Sequence, residues 1–485
     1  MNTFFHKLIG YLLSLIIGAS VAIATGAFDF IVHHLSRHWH NNLLATTLNI
    51  PPAWLRATLP ILAIPLILYT LKHLPNHRQH NQADIIESIH INQGNVDLKS
   101  AGYSILGALI SLSSGYSVGQ YGPTVQQGSA VGYIFSRLKV IKNDAFHVYI
   151  ASGVAAAIAA IFHAPIAAVV FAHEVILRFF SIKAFAPITI SAVTSYVLSS
   201  IVFNRTTFLS SSPQIIASPN IYAIVVLLAI LAGILGILFI RSIMSLQILS
   251  RRRHLPVSLR ISLAAIAMSF FAYYLPDVMG TSDYFLHAIV NEYDIALQTI
   301  ALILIAKFIA TTLTLGFGIP GGVFSPAIFM GALLGACATQ IINHYLPNFE
   351  TQDGLLTITT MAAMASAVMG APLSMILIIL EITDNFTLTS AVMLAVVIAN
   401  LTAYRLLGAN SFFDAQLKAR GINMEIGRDL LYFKQRRIQH LVSDQYLNLK
   451  DHTSLADAER LLLEKRQYTA YVTTDEQHYL AKSPS

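Results

Sequence analysis

The chain has 485 residues, of which 55% are hydrophobic and 11% charged, with a net charge of +6. A mean hydropathy of +0.63 at that length excludes a soluble globular domain and points to a polytopic membrane protein, since a spanning helix takes ~20 apolar residues. The positive balance gives no argument for nucleic acid, because the basic residues sit mostly at loops and chain ends, and the single cysteine, Cys337, excludes an internal disulfide.

In chain order, the run from Leu8 to Ile23 follows a lone Lys7 and is long for a signal peptide, so it is taken as the first helix. Ala57 to Leu71 forms the second span, with Pro60 and Pro65 inside it. The polar stretch Lys72 to His90 is expected to be a solvated cytoplasmic loop. From Ala101 to Val118 the chain is apolar but carries Ser104, Ser111, Ser113, Ser114, Gly115 and Ser117, a small-residue face suited to close packing. It runs into GQYGPTVQQGSAVG, Gly119 to Gly132. Ala151 to Phe180, Ala184 to Phe203, Ile221 to Ile248 and Leu259 to Tyr274 are further apolar segments. Ile300 to Leu315, interrupted by Lys307, leads into GFGIPGGVFSPAIFMGALLG, Gly316 to Gly335; Leu355 to Thr383 and Leu388 to Leu407 complete the set. Arg251, Arg252 and Arg253, with Arg428, Lys434, Arg436 and Arg437 of the tail, are expected to be cytoplasmic, because basic residues stay on that side.

Two of these stretches carry chemistry. A helix broken at membrane depth leaves its first few backbone N–H groups unpaired, and each costs several kcal/mol in hydrocarbon unless an acceptor is supplied. The simplest acceptor is an anion. Gly318 precedes the break, Pro320 ends one segment, Gly321 and Gly322 let the backbone approach a ligand, and the N–H groups of Val323 and Phe324, with Ser325 and Pro326 behind them, open the next helix at its positive end. The amides of Gln120, Tyr121 and Gly122 repeat the arrangement between Gly119 and Pro123. The structural alternative is a kinked helix whose glycines serve only packing.

The halves repeat. Glu174 stands nine residues after Pro165 and Glu381 nine after Pro372, each following an alanine-rich run, with 42 residues from Pro123 to Pro165 and 46 from Pro326 to Pro372. Such a duplication, about 56–203 and 221–407, predicts broken helices from both halves meeting at a midplane site.

With both breaks and both alanine-proline-glutamate segments in view, residues 5 to 425 resemble the CLC family of chloride channels and proton-coupled chloride exchangers. The motifs that carry the resemblance are Lys307, Thr311 and Thr312 ahead of GIPGGVFSP, the GQYGP stretch, and APLSMILIILEITDNF, Ala371 to Phe386. The resemblance implies an all-α polytopic membrane domain over 1–422, an inverted repeat of tilted and broken helices, in a homodimer whose subunits each carry an anion path. By the same resemblance, Val323 and Phe324 would bind a central anion and Gln120, Tyr121, Gly122 and Ser325 an outer one. Residues 423–485 are similar to the first half of a CBS module, a short α/β cytoplasmic tail without the complete pair that would bind a nucleotide. Ser454 is its expected helix cap.

The departures decide the functional expectation. The gating glutamate of the family falls at Tyr121, a phenol with an ordinary pKa of about 10, and the inner proton glutamate falls at Val175. Both proton stations are therefore missing, which favours passive chloride conduction, uncoupled from protons, with Tyr121 as a gate or a ring turned out of the path. The alternatives are a coupled exchanger with a substitute proton route, a CLC selective for fluoride or another anion, and a non-conducting membrane protein. The pore tyrosine of the family falls at Phe413 and its serine near His80. Glu174 is expected to be structural, and Lys307 to add positive potential near the inner mouth or to snorkel to the interface. No enzyme motif, metal-ligand spacing, cofactor site or nucleic-acid partner is expected. The expected surroundings are the lipid bilayer of a bacterial inner membrane, crossed several times, with chloride or similar anions as ligands.

Overall fold

The computed structural model describes residues 2–37, 52–92, 94–138, 146–203, 219–290, 295–345, 354–422, 424, 447–465, 469–473 and 479–484. Arg428, Lys434, Arg436 and Arg437 lie outside them. Among the described residues eight helices are long and apolar enough to cross a membrane, from Leu8–Ser36 to Phe386–Ala419, and four shorter apolar helices accompany them. The chain divides into two units, Met1–Met424 and Glu425–Ser485.

In the first unit, α1 (Asn2–Arg37), α2 (Ala53–Leu62), α3 (Ile64–Lys72), α4 (Gln82–His90), α5 (Leu98–Ser113), α6 (Tyr121–Ser136), α7 (Phe146–Phe162), α8 (Pro165–Phe171) and α9 (Ile182–Phe203) make the first half. The second half is α10 (Pro219–Arg252), α11 (Val257–Tyr274), α12 (Asp283–Val290), α13 (Leu297–Phe317), α14 (Phe324–Tyr345), α15 (Leu355–Met369), α16 (Pro372–Thr383), α17 (Phe386–Leu407) and α18 (Phe412–Ala419). The second predicted span is two helices with Ala63 at the joint. Pro65 falls in the first turn of α3, where its missing N–H is no loss, and Pro60 is accommodated within α2.

Lys72–His90 is not the solvated loop its polarity suggests. Its second half is α4, capped by Asn81 and Asp84 in a reciprocal capping box, with Ala83, Ile85, Ile86 and Ile89 buried in the core. Polar caps and an apolar stripe together read as a short amphipathic helix.

The repeat is visible as a reciprocal pair of caps. α8 and α16 begin at Pro165 and Pro372, and each first turn is satisfied by the glutamate of the other half. Glu174 accepts from the N–H groups of Leu373 and Ser374, both at 2.9 Å, and from the Ser374 hydroxyl. Glu381 accepts from Ile166 at 2.9 Å and Ala167 at 2.7 Å. Anionic carboxylates at positive helix ends are the favourable arrangement.

The second unit, taken alone, is a three-stranded sheet with one helix. β1 (Leu447–Lys450) pairs parallel with β2 (Thr469–Thr473), which pairs antiparallel with β3 (Tyr479–Pro484). Ser454 accepts from Asp457 N–H to cap α19 (Leu455–Glu464). β3 was not expected from the sequence, which predicts only strand, helix and strand.

Candidate functional site

The two helix breaks meet. Gly119 N–H donates to Gly322 O and Gly322 N–H to Gly119 O, both at 2.8 Å, a one-rung antiparallel bridge between the halves. Glycine at both positions suits this approach. A Cβ on Gly322 would stand 3.0 Å from Gly119 O and from Gly122 N, and one on Gly119 would stand 2.9 Å from Ser325 Oγ. The α5 serines hold the two loops in place. Ser111 donates to Pro320 O, Ser104 accepts from His80 N–H at 2.8 Å, and Ser117, just past α5, bonds Thr311 at 2.8 Å.

From the bridge, α6 and α14 both lead away, so both N-termini point into the same space. Among the described residues none accepts a hydrogen bond from the amides of Gly122, Val323, Phe324 or Ser325. All four residues are buried. Gln120 differs from the expected set, because its amide donates to Ser325 Oγ at 3.3 Å and ties the two breaks together. Unpaired amides at two converging positive helix ends are built to hold a negative charge.

Tyr121, the first residue of α6, stands at this junction. Its ring, 9% exposed, stacks on Phe162 with centroids 4.4 Å apart and meets Phe324 edge-on at 5.3 Å. Phe162 and Phe324 close the triangle at 5.5 Å. The cavity beside them, about 10 Å³, is lined by Gln82, Phe171, Met369 and Met375 among others, and a space of that size holds one water molecule at most. The sequence reading missed Phe162 and Gln82, whose partners lie in other helices.

Gln79 grips the second break with both amide atoms. Its Nε2 donates to Gly321 O at 2.8 Å and its Oε1 accepts from Gly321 N–H at 2.7 Å. His80, the next residue, is half-buried and lines a small cavity with Ser104, Gly122, Pro123, Gln126 and Gly321. It therefore stands at the breaks and not in a solvated loop. Burial lowers its pKa from the usual imidazole value, Asp84 pulls it up, Arg78 pushes it down, and Asp97 and Arg420 act more weakly. Asp84 itself sits between Arg78, at 2.6 Å, and Arg420, at 3.0 Å. Burial alone would raise its pKa, but the two guanidiniums hold it below the ordinary carboxylate value.

Three expected site residues lie elsewhere. Phe413 is 1% exposed at the start of α18 and packs edge-on against Phe412 at 5.8 Å; it lines neither the Tyr121 cavity nor the His80 cavity. Val175 is buried in a π-helical turn, Ala172–Leu177, that continues α8. It faces a separate cavity of about 540 Å³ beside Glu174, Arg178 and Asp414.

Lys307 corrects the expectation of an inner-mouth cation or a snorkelling side chain. It is 0% exposed, and its ammonium donates to Val278 O at 3.0 Å, Gly280 O at 2.8 Å and Ser282 Oγ at 2.7 Å, over the Phe329 ring. That loop follows Tyr274, at the far end of α11 from Arg251–Arg253. An 18-residue helix is about 27 Å long, so Lys307 serves the opposite face. Its loop in turn donates from Gly280 N–H to Gly115 O, below the first break.

The family model described as "Voltage gated chloride channel" matches residues 62–404. Among curated proteins, the chain is 28% identical over 403 residues to a "Putative chloride channel protein ClcB-like" of Ralstonia nicotianae, covering 80% of this chain and 92% of that protein. It is 26% identical over 402 residues to the "Voltage-gated ClC-type chloride channel ClcB" of Escherichia coli O81, covering 80% and 94%. Among solved structures, a slow cyanobacterial Cl⁻/H⁺ antiporter superposes with a TM-score of 0.76 at 20% identity, over 85% of this chain and 97% of that one. A CLC-type fluoride/proton antiporter gives 0.70 at 20% identity, over 85% and 98%. The matched span runs from α2 to α17 and includes both breaks and both glutamate caps. This chain is a multi-pass integral membrane protein that belongs to the voltage-gated chloride channel family, the CLC proteins.

Proposed function

We infer that the chain is a passive anion channel for chloride, not an enzyme, working as a homodimer with one path in each subunit. The observation that carries this reading is the set of buried, unpaired amides of Gly122, Val323, Phe324 and Ser325 at two converging helix N-termini. An anion there receives several N–H donors and two favourable dipole ends, with no cationic side chain to make its release slow. Tyr121 acts as the gate, its ring covering the amides until it leaves Phe162 and Phe324. Conduction is uncoupled from protons, because no carboxylate stands at 121 or 175. The protein sits in the bacterial inner membrane with Arg251–Arg253 and the tail on the cytoplasmic side.

A second reading, a coupled exchanger, is favoured by one observation: the two superposed structures are described as proton antiporters. In this chain its proton would have to use His80 or water.

Chloride efflux from liposomes containing the purified protein, recorded together with pH, separates the two. Chloride release without proton movement, accelerated about tenfold or more in Tyr121→Ala, is the expected result, since removing one barrier of 1.4 kcal/mol gives that factor. Proton movement in fixed proportion to chloride would establish the exchanger instead. Absence of flux from both proteins in folded form would leave a non-conducting member of the family.

A further inference from the structure

A cavity of about 360 Å³ lies where the α3–α4 connection, the end of α10, the start of α11 and the end of α13 come together. Its wall carries Arg78, Arg251, Arg260 and His77, several side-chain amides, and no aspartate or glutamate. Arg78 is committed to Asp84. Arg251 and Arg260 are not: among the described residues neither has an ion-pair partner, and Arg260 Nε is buried without a hydrogen-bond partner. The two guanidiniums, from consecutive helices, also act on each other as like charges. Like charges beside one cavity, with a buried donor unused, form an arrangement that an anion between them relieves.

We propose that this cavity is a binding site for a phosphate-bearing anion, held by Arg251 and Arg260, whose occupancy slows chloride passage from the same face. Size separates the ligand from chloride. The cavity is many times the space that one water or one chloride takes, so a single chloride leaves most of it empty and reaches few donors at once. A tetrahedral oxyanion offers several acceptors to two planar guanidinium forks, the geometry arginine matches best. The link to the path is short. Gly318 and Ile319 form part of the wall, and so does Gln79, whose amide brackets Gly321, next to the Gly322 of the inter-break bridge. A filled cavity therefore stands against the loop that delivers the Val323 and Phe324 amides. Only this effect on flux rests on the channel reading; the binding does not.

The test begins with binding in detergent, using the full chain. Titration with inorganic phosphate should give saturable binding that Arg260→Gln and Arg251→Gln each weaken about tenfold, the loss expected for one charge-assisted pair. Arg252→Gln removes the same charge from a residue outside the cavity and should leave binding unchanged. A parallel titration with phosphatidic acid in mixed micelles identifies the source: Arg260-dependent binding of phosphatidic acid alone would make the ligand a lipid headgroup and still support the site. In liposomes, phosphate added on the Arg251 face should lower chloride flux at least severalfold, and on the other face should not. No binding of either phosphate compound, or equal weakening by Arg252→Gln, would overturn the proposal. Because binding is read without flux, a protein that binds phosphate but conducts nothing would refute the channel reading while leaving the site intact.

Discussion

The first break, Gly119–Pro123, and the second, Gly318–Pro326, offer the same backbone to the space between them but are held from different directions. The first is braced through Gly115 by the loop that Lys307 grips and is covered by the Tyr121, Phe162 and Phe324 rings. The second is gripped directly by Gln79 and backed by Ser111. In the proposed channel anion affinity lives in main-chain amides, which side-chain substitutions retain and alter only through their alignment. In that proposal gating and proton coupling belong to side chains, at Tyr121 and Val175. On that proposal a protein can keep an anion site while its transport mode is rewritten.

The largest test of this asymmetry is Lys307→Met. It removes a buried ammonium from three oxygens at once and releases the loop under the first break only. A loss of about 3 kcal/mol or more is expected, since three hydrogen bonds to a charged group go at once, read as a lower unfolding temperature in detergent, with the second break's contacts untouched. An unchanged melting temperature would mean that the loop does not brace the first break. Next in size is the pair of cross-caps. Glu174→Ala should cost about 1.5–3 kcal/mol, and Glu381→Ala somewhat less, since hydrogen bonds to charged groups have that magnitude and Glu174 also holds the Ser374 hydroxyl. The reverse order would show that packing around the caps outweighs the bonds. Gln79→Ala loosens the second break alone. A stability change of only ~1 kcal/mol should accompany a fall of about tenfold in chloride affinity by calorimetry, because the Val323 and Phe324 amides lose their alignment.

Much of this comparison is legible in the sequence, and the rest is hidden for identifiable reasons. Glycine and proline clustered at membrane depth in two parallel motifs, Gly119–Pro123 and Gly318–Pro326, announce both breaks. Equal spacing from Pro165 to Glu174 and from Pro372 to Glu381 announces the repeat. What each glutamate bonds is not readable, since the partners are 199 and 215 residues distant along the chain. Gln79, Gln82 and α4 lie in a stretch whose polarity suggests solvent, although its polar groups turn inward to cap and grip backbone. Lys307 is misread because a lone lysine in an apolar helix gives no sign of three oxygens waiting on a neighbouring loop. The Tyr121 cluster needs Phe162 from α7, which no local pattern connects to α6.

The smallest effect, and the sharpest test of a backbone-only site, is the pH response of His80. It lies outside the spanning segments and beside Gly122 and Gly321. Burial favours its neutral form and lowers its pKa from 6.5, with Asp84 and Asp97 opposing and Arg78 and Arg420 assisting. A lowered histidine pKa contributes stability that is present above the unfolded value and lost as pH falls through the folded one. Protonation should therefore destabilise the protein slightly while placing a positive charge next to the amides. Chloride affinity is expected to rise severalfold as pH falls below 6.5, and His80→Gln should flatten that rise. Affinity and stability move in opposite directions here, so partial unfolding in acid cannot imitate the response. Affinity that stays level in the wild-type protein across that range would remove His80 from the anion's surroundings and leave the main-chain amides as its ligands.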